Sequence, residues 1–101
     1  MMKRTYQQAM ELWGVELQMN MVQEECGECV AAINRFRRGR IEESSMVEEI
    51  VDIYIMAEQM KFYYPVLFND IYKEKTDRLK QIVEYEMTKS AAATSRTRQG
   101  R

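Results

Sequence analysis

Helix breakers are almost absent from this sequence. One proline, Pro65, and four glycines, Gly14, Gly27, Gly39 and Gly100, interrupt 101 residues. No stretch of more than a few residues alternates apolar with polar in the manner of a half-buried strand. So little punctuation predicts an all-α fold, and the positions of the breakers set the helix ends. A first helix is expected over about 3–13, where Tyr6, Met10 and Trp13 fall at i, i+4, i+7, with Gly14 ending or kinking it. A second runs from about Val15 to Arg38. In it Val15, Met19, Val22, Cys26, Cys29, Ile33 and Phe36 recur at alternating spacings of four and three, a seam for packing against other helices. Arg37, Arg38 and Arg40 suit the negative end of its dipole, and Gly39 suits the C′ position.

Ser45 and Glu48 have the spacing of a capping box, which opens a third helix running to about Tyr63. Its centre, from Ile50 through Met60, is apolar on nearly every side. A helix of that kind is buried from several directions, which predicts self-association with this helix near the interface. Pro65 fits N1 of a fourth helix over about 65–88, turning Val66, Ile71, Leu79, Ile82 and Val83 inward and Lys73, Lys75, Arg78 and Lys80 outward. The expected architecture is a four-helix bundle-type protomer that assembles into a homodimer or tetramer. Residues 1–88 form its one domain and 89–101 a basic, disordered tail.

Charge and composition exclude several functions. The chain carries 15 basic and 16 acidic residues; Lys89, Arg96, Arg98 and Arg101 all lie in the tail, leaving the body at about −5. That balance argues against a duplex-binding surface and makes a nucleic-acid partner the weakest reading. No run approaches the length needed to span a bilayer, so no membrane partner is expected. MMKRTYQQAM lacks the apolar centre of a signal peptide, and two cysteines three apart on one helix are poorly placed to bridge, so the expected setting is the reducing cytoplasm. There is no histidine. Ser-His and Cys-His nucleophiles are therefore excluded, and acid–base or metal chemistry falls to carboxylates, lysines, tyrosines and the two thiols.

The stretch EECGECV, Glu24 to Val30, is where that chemistry concentrates. Through its sulfurs it reads C-x-x-C. A structural zinc site needs four ligands, though, and a redox pair needs a thiol at a helix N-terminus, whereas both cysteines lie well inside a helix on the expected seam. They are expected to be packed as small apolar groups. Through its carboxylates it reads E-E-x-x-E. Glu25 and Glu28 stand about 60° apart, on a flank of the seam, with Glu24 some 40° beyond Glu28. Alone, such a pair is a solvated acidic face. Glu49 and Asp52 repeat the spacing inside an otherwise apolar helix, where an aspartate between Val51 and Ile53 is costly unless neutralised.

The two pairs can meet. From Glu28 to Gly39 the helix climbs about 16 Å and from Ser45 to Glu49 it returns about 6 Å, leaving roughly 10 Å for the connecting segment to cover. Four carboxylates in one place repel, and a hard divalent cation such as Mg²⁺ resolves the repulsion through oxygen ligands. Such a cation commonly serves phosphate chemistry, for which Lys75 and Arg78 are suitable partners.

Glu24-Glu25-Cys26-Gly27-Glu28, 20 residues, then Glu49-Ile50-Val51-Asp52 resembles the E-E-x-x-E … E-x-x-D signature of the MazG-like all-α nucleoside triphosphate pyrophosphohydrolases, relatives of the dimeric dUTPases. WGVELQMNMVQ, AINRFRRGR and KTDRL add to the likeness, which covers roughly residues 5–85. The resemblance implies Mg²⁺-dependent hydrolysis of (deoxy)nucleoside triphosphates to monophosphate and pyrophosphate, with a metal-bound water as nucleophile and Mn²⁺ as a possible substitute. It implies Glu25, Glu28, Glu49 and Asp52 as metal ligands and Glu24 as an accessory carboxylate that orients or activates the water. Lys75 and Arg78 would contact the triphosphate, and Trp13 and Tyr54 are candidates for stacking on the base. The alternative function is a non-catalytic helical dimerisation or adaptor module that binds metal or nucleotide without turning it over.

Overall fold

A computed structural model describes residues 2–99 of the chain. They form three α-helices in the order α1 (Met2–Arg37), α2 (Glu43–Lys61) and α3 (Pro65–Gln99), with no strand among the described residues. The all-α expectation holds. Three elements replace the four expected because the first two are one element, broken at Gly14 (φ 76°, ψ 164°). Positive φ with extended ψ is open essentially to glycine alone, so the sequence bends where a side chain is missing.

The chain divides into two units, Met1–Pro65 and Val66–Arg101. The first is built on α1 and α2. Gly39 at φ 72° ends α1: its N–H donates to the Phe36 carbonyl at 2.9 Å, and the Arg40 N–H donates to that of Arg35 at 2.9 Å. This pair of bonds is a Schellman motif, and it satisfies carbonyls that the helix end would leave open. Gly39 thus occupies the C′ position expected of it.

The start of α2 corrects the capping box. The N-cap is Glu42, in extended conformation without a side-chain cap, and Ser45 already lies in the first turn with its N–H on the Glu42 carbonyl at 3.1 Å. Glu43 contributes a favourable negative charge in that turn. At the far end the Phe62 and Tyr63 N–H groups close on the Gln59 and Met60 carbonyls, ending α2 at Lys61.

Beyond the Gly14 break, the N-terminal segment of α1 meets this end of α2. Buried Tyr6 sets its ring edge-on to Phe62, centroids 5.9 Å apart at 64°, and the Tyr63 hydroxyl donates to the Met10 carbonyl at 3.2 Å. Such an aromatic pair contributes about 0.5–1.5 kcal/mol beyond its buried area.

The core of this unit is small and unusually polar. Tyr6, Cys29, Ala32 and Met56 are its buried apolar residues, and Gln18 and Gln59 are buried with them. On α1 the face turned inward is Gln18, Val22, Glu25, Cys29, Ala32 and Phe36, all buried or half-buried. Of the expected seam Val15, Val22, Cys29, Ile33 and Phe36 are buried or half-buried, but Met19 and Cys26 are exposed and Glu25 belongs to the seam rather than to its flank. Val47, Ile50, Val51 and Tyr54 of α2 are exposed, so the helix is covered on one side only within its unit.

In the second unit α3 continues past position 88 to Gln99, since Ala91-Ala92-Ala93 is strongly helix-forming and no breaker precedes Gly100. The tail expected to be disordered is therefore helical to Gln99; Gly100 and Arg101 lie outside the described residues. Thr76, Thr88 and Thr94 turn their hydroxyls back to carbonyls one turn earlier. The exposed Lys73–Asp77 pair, at 3.1 Å, adds no more than about 0.5 kcal/mol. Val66, Ile71, Leu79, Ile82 and Val83, expected to face inward, are exposed. No helix among the described residues is long and apolar enough to cross a membrane.

Candidate metal centre

Glu25 lies midway along α1, and Glu49 and Asp52 lie one turn apart near the start of α2. Because the hairpin runs the helices antiparallel, the seam that places Glu25 inward sets it against the two α2 residues. Each offers a carboxylate oxygen, and the three oxygens lie within 4.8 Å of one another. Glu25 and Glu49 are half-buried and Asp52 is exposed. The Oε2 atoms of Glu25 and of Glu49 are buried with no hydrogen-bond partner.

Electrostatics follow from that placement. The Glu25 carboxyl is pushed above its ordinary range first by burial, then by the charges of Glu28, Asp52, Glu49 and Glu24. Glu49 is pushed up by burial, then by Glu28, Asp52 and Glu48, with Arg35 opposing. Three clustered carboxylates, two of them with a buried oxygen that no described residue satisfies, are a donor set for a hard divalent cation. The residues present fit such an ion.

Glu28 is not in the trio. Exposed one turn along α1, it lines an open cleft of about 680 Å³ with Glu24, Gly27, Ala31, Ala32, Arg35, Ile41, Ser45 and Glu49. Glu49 thus belongs to both the trio and the cleft, and Glu28 is the foremost charge acting on it. Glu24 is exposed on the same wall. A Cβ at Gly27 would meet no atom within 4 Å, so this glycine opens onto the cleft and is not forced by packing within the chain.

The remaining site candidates are Trp13, Tyr54, Lys75 and Arg78. Trp13 precedes the Gly14 break and is 45% exposed; Tyr54, 64% exposed, is about 200° round α2 from Asp52. Neither lines the cleft. Lys75 and Arg78 are exposed on α3, in the second unit; Lys75 sits within the stripe made by Phe68, Ile71, Tyr72, Leu79 and Ile82, and Arg78 at its edge.

Three features escaped the sequence reading. Arg35 and Ser45 line the cleft, and Gln18 is fully buried with both side-chain polar atoms unpaired. A signal for the first existed, since Glu24, Glu28, Ala31 and Arg35 are spaced four, three and four apart, one stripe of a helix. Compared with family models, curated proteins and solved structures, the chain matches none.

Proposed function

We propose that the chain is a divalent-cation-dependent hydrolase that splits (deoxy)nucleoside triphosphates into monophosphate and pyrophosphate, as its signature implies. The observation that carries this reading is the trio itself: three carboxylate oxygens within 4.8 Å, two of the carboxylates having a buried oxygen without a partner. Glu25, Glu49 and Asp52 would hold Mg²⁺, or Mn²⁺ in its place, with Glu28 as the fourth carboxylate of the set. A bound cation would supply charge neutralisation for the phosphates and a more acidic water. Water is added across the α–β anhydride: its oxygen bonds to one phosphorus while the bridging oxygen leaves with the other. Glu24, exposed beside the trio, would orient the water and accept its proton. Lys75 and Arg78 are the proposed phosphate contacts on α3, and Trp13 and Tyr54 the proposed stacking residues.

Self-association belongs to the same proposal. Val47, Ile50, Val51 and Tyr54 leave α2 with an exposed apolar face beside the site, suited to burial in a homodimer or homotetramer of helical bundles. That face also favours the second reading, a helical adaptor that binds nucleotide without turnover. Two free cysteines accord with a cytoplasmic setting.

A panel of ribo- and deoxynucleoside triphosphates with Mg²⁺, read out by product identity, separates the two readings. Pyrophosphate release is the expected result; orthophosphate release would overturn the stated bond cleavage, and binding without products would favour the adaptor. Glu49→Gln should lower turnover by roughly 10²–10³-fold, the scale of losing a charge-stabilising catalytic group. Its helical circular dichroism should be unchanged, and undiminished turnover would remove Glu49 from the ligand set.

A further inference from the structure

The cleft beside the trio has two ends of opposite charge. Nearest the carboxylates it holds Glu24, Glu28 and Glu49, and at its far end Arg35. Glu24, Glu28, Ala31 and Arg35 lie on one stripe of α1, and Gly27, Ala31 and Ala32 keep the floor between them low. From Glu28 to Arg35 is two turns, about 10 Å. Ser45 contributes a half-buried hydroxyl from the facing helix.

Arg35 makes no hydrogen bond or ion pair with another described side chain; within the chain its field reaches Glu49 without closing to a bridge. Arg37 also stands in the last turn of α1, where either cation suits the helix dipole, but it is about 160° round the helix from the cleft wall where Arg35 stands. The dipole therefore accounts for a basic residue in that turn and leaves the position of Arg35 in the cleft unexplained. A planar fork of donors at one end of an open, small-residue floor, with a carboxylate donor set for a cation at the other, matches a phosphate chain bridging the two.

We propose that Arg35 and Ser45 bind the pyrophosphate portion of the substrate, so that the phosphates run from the carboxylate trio along α1 toward its C-terminus. The proposal rests on the pyrophosphohydrolase reading above and gives that site a direction. The distal phosphates point to the α1–α2 turn, and the nucleoside leaves the cleft at the opposite end. Arg35 belongs to the same unit as the carboxylates, which makes the pyrophosphate-binding half of the site complete within residues 24–52.

The test uses the full chain and binding alone. Calorimetry measures Mn²⁺ binding first, then inorganic pyrophosphate binding in excess Mg²⁺, for the wild type, Arg35→Ala, Arg35→Lys and Arg37→Ala. Loss of a charge-assisted contact predicts pyrophosphate affinity about tenfold or more lower in Arg35→Ala, partly recovered in Arg35→Lys and unchanged in Arg37→Ala. Mn²⁺ affinity in Arg35→Ala should be equal or slightly higher, because a positive charge near Glu49 is gone. A wild type that binds Mn²⁺ but not pyrophosphate overturns the proposal, as does equal weakening by Arg35→Ala and Arg37→Ala, or no weakening by Arg35→Ala. A wild type that fails to bind Mn²⁺ overturns the metal-dependent reading itself. Circular dichroism of each exposed-site variant confirms that the fold is intact.

Discussion

The two units of this chain differ in what they bury. In the first, the α1–α2 seam buries an amide at Gln18, another at Gln59 and one oxygen each of Glu25 and Glu49, none of those carboxylate or Gln18 atoms having a partner. In the second, α3 leaves Leu67, Tyr72, Leu79, Ile82 and Tyr85 exposed. A seam that hides polar atoms while apolar side chains stand exposed on both α2 and α3 is not organised for stability alone. Buried unpaired groups cost free energy that a packed aliphatic seam would not. The proposed metal centre would account for the Glu25 and Glu49 atoms, and the proposed self-association for the exposed apolar stripe.

The largest expected effect tests the seam. A cation bound at 100 times its Kd stabilises the folded chain by about 2.7 kcal/mol, so Mg²⁺ should raise the melting temperature of the wild type and leave Glu49→Gln nearly unmoved. The pH dependence has a defined sign. Glu25 and Glu49 have folded-state values above their ordinary 4.5, so without metal the native state holds more protons than the unfolded chain between 4.5 and those raised values. Stability therefore falls as pH rises through that window, opposite to an ion-paired carboxylate. Added Mg²⁺ should reverse the fall above it. A melting temperature that rises with pH through the window without metal would show that the carboxylates are not deprived.

Next in size is Gln18→Met, which replaces a fully buried amide by an apolar chain of similar length. It should stabilise the chain by about 1–3 kcal/mol, the desolvation cost of unpaired polar atoms, as measured by urea unfolding. A loss of stability would mean that Gln18 is satisfied in solution. The smallest effect probes α3. If its stripe is covered by a second copy, its amide exchange should slow by about tenfold, near 1.4 kcal/mol, between dilute and concentrated protein. Seam amides around Cys29 should change less. Equal protection at every concentration would dissolve the contrast between the units.

Much of this arrangement was legible from residue order, and the failures share a cause. Gly14 and Gly39 announced the break and the cap because positive φ leaves little choice of residue. The E-x-x-E and E-x-x-D spacings placed Glu25, Glu49 and Asp52 on facing helices because helical geometry and hairpin closure are simple arithmetic. The seam itself was displaced. Reading by apolarity selected Met19 and Cys26, each one residue past Gln18 and Glu25, because it assumed that polar residues face solvent. Where polar side chains lie in the seam that assumption fails, and the mismatch between apolar pattern and true seam coincides with the carboxylate cluster. The Ser45 cap failed differently. Its spacing fits the motif, but the N-cap is Glu42, three residues earlier, and Ser45 lines the cleft instead.

The bend at Gly14 has a consequence in chirality. Its dihedrals, φ 76° and ψ 164°, are nearly the mirror image of the extended region that ordinary residues occupy. A chain assembled by chemical synthesis with D-alanine at position 14 would enter that conformation readily and would give up the freedom glycine retains when unfolded, whereas L-alanine would resist it. A Cβ there meets no atom within 4 Å, so space is no obstacle to either enantiomer. Handedness alone decides which one lets the first segment of α1 fold back so that Tyr6 reaches Phe62.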